Sequence, residues 1–280
     1  MQNDAGYTPV IYANYDVKLP NLNWQCSVSV DIFNFSDTTP YKVFWQMEPD
    51  EIIPGTEEKL IKNHKFYDLI LTWNHMVLSE CGNARFFAPG SVWTQEADVS
   101  QKKFAISYLT SSKTGCPGYE LRHRIFRGLP PSINRIPITK HQSPPYLLNK
   151  REMLVPFQYT IVIENAYRHN YFTEKLLDAF ATKTIPIYWG CPRSFDKDGV
   201  GEFFNTDGVI AIKDYKDLFQ VIASLTPDFY QSRQTVIEEN YKKSLTYVDR
   251  TGNLVKAINA SWTPTIMRVH SGEPNVAPES

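Results

Sequence analysis

Between Tyr159 and Gly190 the sequence sets out a strand, a polar loop, a helix and a second strand, in that order. Thr160-Ile161-Val162-Ile163 is a short hydrophobic run of the kind that forms a buried strand. Glu164, Asn165, Arg168, His169, Asn170 and Tyr171 follow at once as a polar loop. Thr173 is a good helix N-cap, Glu174 and Lys175 stand in the first turn, and Leu176, Leu177 and Phe180 share one face. Ile185 to Trp189 reads as the returning strand. A unit of this kind ties two parallel strands together, and parallel sheets need helices on their faces, so the fold class is α/β. The same alternation predicts strands at Val43–Trp45, Asp68–Thr72, Phe104–Tyr108 and Gly208–Ile212. It predicts helices at Thr56–His64, with Thr56 as cap, and at Tyr119–Leu129, Glu174–Lys183 and Lys216–Ser224, and a largely helical stretch from Pro227 to Ala260.

The stretch from Pro130 to Pro156 holds Pro130, Pro131, Pro137, Pro144, Pro145 and Pro156, which oppose long helices and central strands. It reads as the passage between two domains, 1–145 and 146–262, followed by a polar tail, 263–280. A chain of 280 residues has room for a core in each. Its net charge of -1 argues against a general nucleic-acid binder. No apolar run reaches the roughly 18 residues of a membrane span, and Met1 to Gly6 do not start a basic-then-apolar signal peptide. Cys26, Cys81, Cys116 and Cys191 are widely spaced and predict reduced thiols, hence a cytoplasmic protein, in the host cytoplasm if the source is viral.

The chemistry gathers where the first turn of the Thr173 helix begins. Free N–H groups and a partial positive charge there favour phosphate. Lys175 adds a point charge for a diphosphate, Glu174 suits ribose hydroxyls, and Asn165 and Tyr171 can bond ribose, phosphate or sugar. Thr-Glu-Lys at a helix start is also an ordinary cap with a surface ion pair, so the argument rests on the whole unit. Between Lys113 and Arg151, Arg122, Arg124, Arg127, Arg135, Lys140 and Lys150 face a single acid, Glu120, a balance that suits an anionic ligand.

Tyr159 to Asn165, Tyr171-Phe172-Thr173-Glu174-Lys175, Ala179-Phe180 and Ile185-Pro186-Ile187-Tyr188-Trp189-Gly190 together resemble the signature of the α1,3-fucosyltransferase family, over about Ser107 to Ile212. The wider group includes exostosin-like members, and the chain length is also similar to that of a chlorella-virus xylosyltransferase. The resemblance implies a GT-B fold, two Rossmann-like domains facing across a cleft, and an inverting transfer with no cofactor required for chemistry. A nucleotide sugar would be the co-substrate and a glycan the acceptor, for example an N-glycan of a viral glycoprotein. The part of a divalent cation and the oligomeric state stay open. It implies donor contacts from Glu164, Asn165, Tyr171, Thr173, Glu174 and Lys175, and a diphosphate-holding Arg122 from the Arg122-His123-Arg124-Ile125-Phe126 run. It also implies a general base in the N-terminal half. Glu48, after Val43-Phe44-Trp45 and before Pro49, is the first candidate, Asp68 the second and Asp50 the third.

The donor is GDP-fucose for the fucosyl type or UDP-xylose for the xylosyl type, and the departure of the N-terminal half from the family favours the latter. Asp196-Lys197-Asp198 reads as a surface loop and not a metal site, and Arg193 is a further donor candidate. A carbohydrate-binding protein without catalysis is the rival reading, and in it Arg122, Glu174 and Lys175 would be idle. A nicotinamide enzyme is disfavoured by the absence of a Gly-x-Gly-x-x-Gly turn.

Overall fold

The computed structural model describes residues 7–14, 17–22, 24–96, 98, 101–143, 149–192 and 200–261. Contacts divide the chain into unit 1, Met1–Phe87 with Asp249–Ser280, and unit 2, Ala88–Val248. The boundary therefore falls after Phe87 and again after Val248, not between 145 and 146. The proline-rich stretch is not a linker, because it supplies strands and a helix to unit 2.

Unit 1 begins with β1 (Val10–Tyr12), β2 (Cys26–Val30), β3 (Tyr41–Trp45), α1 (Thr56–Asn63), β4 (Leu69–Thr72), α2 (His75–Glu80) and β5 (Ala84–Phe86). Its strands are all parallel, in the order β1-β2-β3-β4-β5. Side chains alternate between two buried faces. Val43, Trp45, Leu69 and Leu71 fill one, and Phe44 and Ile70 fill the other with Leu60 of α1 and Val77 of α2. Burial on both faces explains the unbroken hydrophobic runs. Thr56 is not the cap of α1. Gly55, at φ 78°, precedes the helix, and the Thr56 hydroxyl donates to the Ile53 carbonyl at 2.9 Å.

Unit 2 continues with β6 (Lys103–Ser111), α3 (Pro117–Gly128), β7 (Ser132–Ile133), β8 (Ile136–Ser143), α4 (Arg151–Leu154), β9 (Phe157–Ile163), α5 (Glu174–Ala181), β10 (Ile185–Trp189), α6 (Val200–Phe203), β11 (Ile210–Ala211), α7 (Tyr215–Ser224), α8 (Pro227–Gln231) and α9 (Gln234–Leu245). The last helix, α10 (Arg250–Ser261), returns to unit 1, where Leu254 and Ile258 pack on the Val43–Trp45 face.

The second sheet has the order β11-β10-β9-β6-β8-β7, parallel except for the short β7 edge. Pro137 is tolerated in β8 because it lies before Ile138, the first residue paired with β6. From β6 the chain steps one way to β8 through α3, and from β9 the other way to β10 through α5. Their apolar residues lie on opposite faces, Ile125 of α3 on one and Leu176, Leu177 and Phe180 of α5 on the other. The order in which the chain adds strands reverses between the parallel neighbours β6 and β9, and ligands of such sheets bind outside the carboxyl ends of the strands at that point.

Candidate functional site

The residues singled out in unit 2 converge where β6 and β9 end. Arg122 is buried on α3, with 4% of its surface exposed. Its Nε donates to the Ile163 carbonyl at 2.9 Å; its Nη2 donates to the same carbonyl and to Asn165 Oδ1, the latter at 3.0 Å. Among the described residues its two Nη1 N–H groups have no acceptor. The Tyr119 ring lies 4.9 Å from the guanidinium carbon. Gly118 permits this approach. Its N–H donates to the Asn165 carbonyl at 3.1 Å, and a Cβ there would run into the Glu164 carbonyl.

Glu164 is the internal organiser of the site. It is wholly buried, and its carboxylate accepts from Thr173 N at 2.8 Å and Thr173 Oγ1 at 2.7 Å. Lys175 Nζ stands 3.5 Å from Glu164, 3.1 Å from Glu174 and 2.9 Å from Thr173 Oγ1. Thr173 caps α5, accepting from Lys175 N at 3.4 Å. Burial would raise the Glu174 carboxyl, but the ammonium groups of Lys175 and Lys150 and hydrogen bonds from Lys175 and Thr173 outweigh it and hold it at about 2. Burial would lower the Lys175 ammonium; the carboxylates of Glu174 and Glu164 outweigh that and hold it above the ordinary lysine value, with Arg122 opposing them. Both therefore stay charged in the folded protein.

Exposure separates the roles. Lys175 and Glu174 keep 28% and 17% of their side-chain surface, whereas Glu164 has none and Tyr171 keeps 1%. Glu164 therefore positions the helix start, and the Tyr171 ring packs inside instead of facing a ligand as the resemblance implies. Asn170 adopts φ 61°, and its Oδ1 is buried without a partner. Arg193 and Asp196-Lys197-Asp198 lie outside the described residues.

In unit 1 the carboxyl ends of β2 and β3 bring two acids together. Asp31 follows β2 at φ 55° with 7% exposure. Its carboxylate accepts from Met47 N at 2.8 Å and from Glu48 N at 3.2 Å. Burial pushes the Asp31 carboxyl up to about 7, against the pull of those two amides; Glu48 adds to the rise and Arg250 opposes it. Glu48 itself is half-buried beside it. Asp31 was not among the sequence candidates, and its one signal is an acid placed directly after the hydrophobic strand Cys26–Val30. Asp68 is not brought to this edge. It precedes β4, at the amino end of the sheet, and accepts from Lys42 N at 2.8 Å. Asp50 accepts from Glu57 N at 3.1 Å at the start of α1. A cavity of about 140 Å³ opens among Lys18, Trp45, Arg250 and Thr251, with the Arg250 guanidinium 4.5 Å from the Trp45 ring centre. Among the described residues no group of three or more His, Cys, Asp or Glu is placed to hold a metal ion. No described helix is long and apolar enough to cross a membrane.

Residues 139–235 match the family model described as Glycosyltransferase family 10 (fucosyltransferase) C-term. That stretch contains Glu164 to Lys175. An alpha-(1,3)-fucosyltransferase, FucT, of Helicobacter pylori is 35% identical over 74 residues, 26% of this chain and 14% of the relative. The match thus spans about a seventh of that relative's length. Two solved structures of α1,3-fucosyltransferase, one of them with GDP-fucose, align with TM-scores of 0.53 and 0.52 at 14% and 16% identity. Each alignment covers 91% of this chain and 92% of the other. The likeness shows the fold: two Rossmann-like units of the GT-B class.

Proposed function

We propose that this protein is an inverting glycosyltransferase that takes a sugar from a nucleoside diphosphate and places it on a glycan hydroxyl. The observation that carries the reading is the unspent pair of Nη1 N–H groups on buried Arg122, in the same cluster as the charged, partly open Lys175. A buried guanidinium with donors to spare calls for an acceptor, and a diphosphate supplies one. Glu174 then faces the ribose.

In the transfer the acceptor oxygen attacks the anomeric carbon as a base removes its proton. The bond from that carbon to the β-phosphate oxygen breaks, and the electron pair leaves with the nucleoside diphosphate. Arg122 and Lys175 stabilise the charge that develops there. Glu48 is the base in this reading. Asp31 holds the backbone of Glu48 and sets the charge beside it.

GDP-fucose is the donor we favour, because the matched family is described as fucosyltransferase and one aligned structure is a complex with GDP-fucose. UDP-xylose is the rival. Thermal shift with GDP, UDP, GDP-fucose and UDP-xylose, with and without a divalent cation, tests the reading. A ligand at about a hundred times its Kd adds about 2.7 kcal/mol of stability. A shift with guanine nucleotides alone supports fucosyl transfer, a shift with uracil nucleotides alone supports xylosyl transfer, and no shift with any nucleotide removes the proposal.

A further inference from the structure

We infer that Tyr167, seated on Trp189, is the surface on which the base of the donor nucleotide stacks. The inference rests on the donor reading above and adds to it a residue outside the phosphate cluster.

The position follows from the sheet. Trp189 is the last residue of β10 and pairs in register with Ile163, whose carbonyl holds Arg122. Adjacent strands are about 4.8 Å apart, so Trp189 stands one strand from the proposed diphosphate contact, on the side away from β6. The ladder runs one residue further, because Glu164 N donates to the Trp189 carbonyl at 2.8 Å. That bond fixes the loop carrying Tyr167 against the end of β10. The Tyr167 and Trp189 ring centres are then 5.4 Å apart, with the planes inclined at 46°. A nucleotide held by its phosphates at Arg122 and Lys175 has its base one ribose away, the scale of this step.

Exposure makes the second argument. The tyrosines around Tyr167 are withdrawn from solvent: Tyr159, Tyr171 and Tyr188 show 0%, 1% and 2%. Tyr167 shows 47%, although its ring is in tilted contact with Trp189. A half-exposed aromatic ring braced by Trp189, beside a site for a charged sugar-phosphate, suits a flat heteroaromatic partner. Stacking of this kind is tolerant of base identity, so Tyr167 supplies affinity for guanine and uracil alike, and discrimination between them lies elsewhere.

The test titrates GDP and UDP into the full chain and into the variants Tyr167→Ala, Tyr167→Leu and Tyr167→Phe, by calorimetry. Tryptophan fluorescence is followed in parallel, with Trp189→Phe as control. For whichever nucleotide the unaltered chain binds, we expect Tyr167→Ala and Tyr167→Leu to weaken binding by about ten- to a hundredfold and Tyr167→Phe to retain it. Quenching on binding should disappear in Trp189→Phe. Unchanged affinity in Tyr167→Ala overturns the inference and leaves the donor reading standing. Equal affinity in Tyr167→Leu and Tyr167→Phe overturns it too, because bulk and not a stacked ring would then be what matters. If the unaltered, folded chain binds neither nucleotide, the donor reading fails and the inference falls with it.

Discussion

Replacing Asp31 by Asn should make the protein more stable above neutral pH, and the gain should vanish on acidification. Asp31 is buried, and its carboxyl is pushed from an ordinary 3.8 up to about 7. The folded state therefore keeps its proton up to about pH 7, while the unfolded chain releases it near pH 4. Stability from this group is fully present below the unfolded value and is lost as pH rises through the folded one. A gap of about 3 pKa units corresponds to about 4 kcal/mol in the limit, of which roughly 2.6 kcal/mol is lost between pH 5 and pH 8. Asn keeps the shape and one acceptor for the Met47 and Glu48 amides, and it tolerates the left-handed backbone at φ 55°. Glu48 and Arg250, the charged neighbours of Asp31, are unaltered in the variant, so the difference between the two proteins isolates Asp31. Urea unfolding of both at pH 5 and pH 8 reads it. The advantage of Asp31→Asn should grow by about 2 to 3 kcal/mol across that interval. An advantage that stays flat would show that the Asp31 carboxyl ionises normally in the folded chain, and the argument from burial would be wrong.

Lys175→Ala should lower turnover by about two orders of magnitude and also lower the unfolding midpoint, because it leaves the buried Glu164 charge without its cation. Adding Glu164→Gln should recover the midpoint and not the turnover, and additive midpoints in the four-protein cycle would show that the two side chains do not interact. Glu48→Gln should leave donor affinity intact and cut transfer by about a hundredfold or more; normal transfer in a folded variant would move the base elsewhere. Gly118→Ala should cost about 1–3 kcal/mol in chemical denaturation and weaken GDP binding, since the new methyl pushes α3 and its Arg122 away from Glu164. An unaltered GDP affinity would show that Arg122 does not depend on that close approach.

The β9–α5–β10 unit was legible because its determinants are local. Leu176, Leu177 and Phe180 mark a helix face, and Thr173 caps as its chemistry dictates. The role of Glu164 was not legible. Its neighbours in sequence suggest a solvent-facing contact, but Thr173 and Lys175 fold back over it and turn it inward. Asp31 was missed for a similar reason, since the amides that engage it lie 16 and 17 residues away. Proline content misplaced the domain boundary. Among the described prolines between Pro130 and Pro156, only Pro137 enters a strand body, at a place that needs no bond to β6 from its nitrogen. What defines unit 1 is the packing of Leu254 and Ile258 against Val43 and Trp45, and a contact over some two hundred residues leaves no trace in local pattern.

That last packing decides the order in which the chain can be completed as it leaves the ribosome. Unit 2 is one uninterrupted segment and can close as soon as Val248 has emerged. Unit 1, although begun first, lacks the cover for its Val43–Trp45 face until α10 has been synthesised. A fragment stopped at Phe87 would leave that face bare and prone to stick. A rearranged gene that places α10 ahead of β1 would let the first unit finish without waiting for the second.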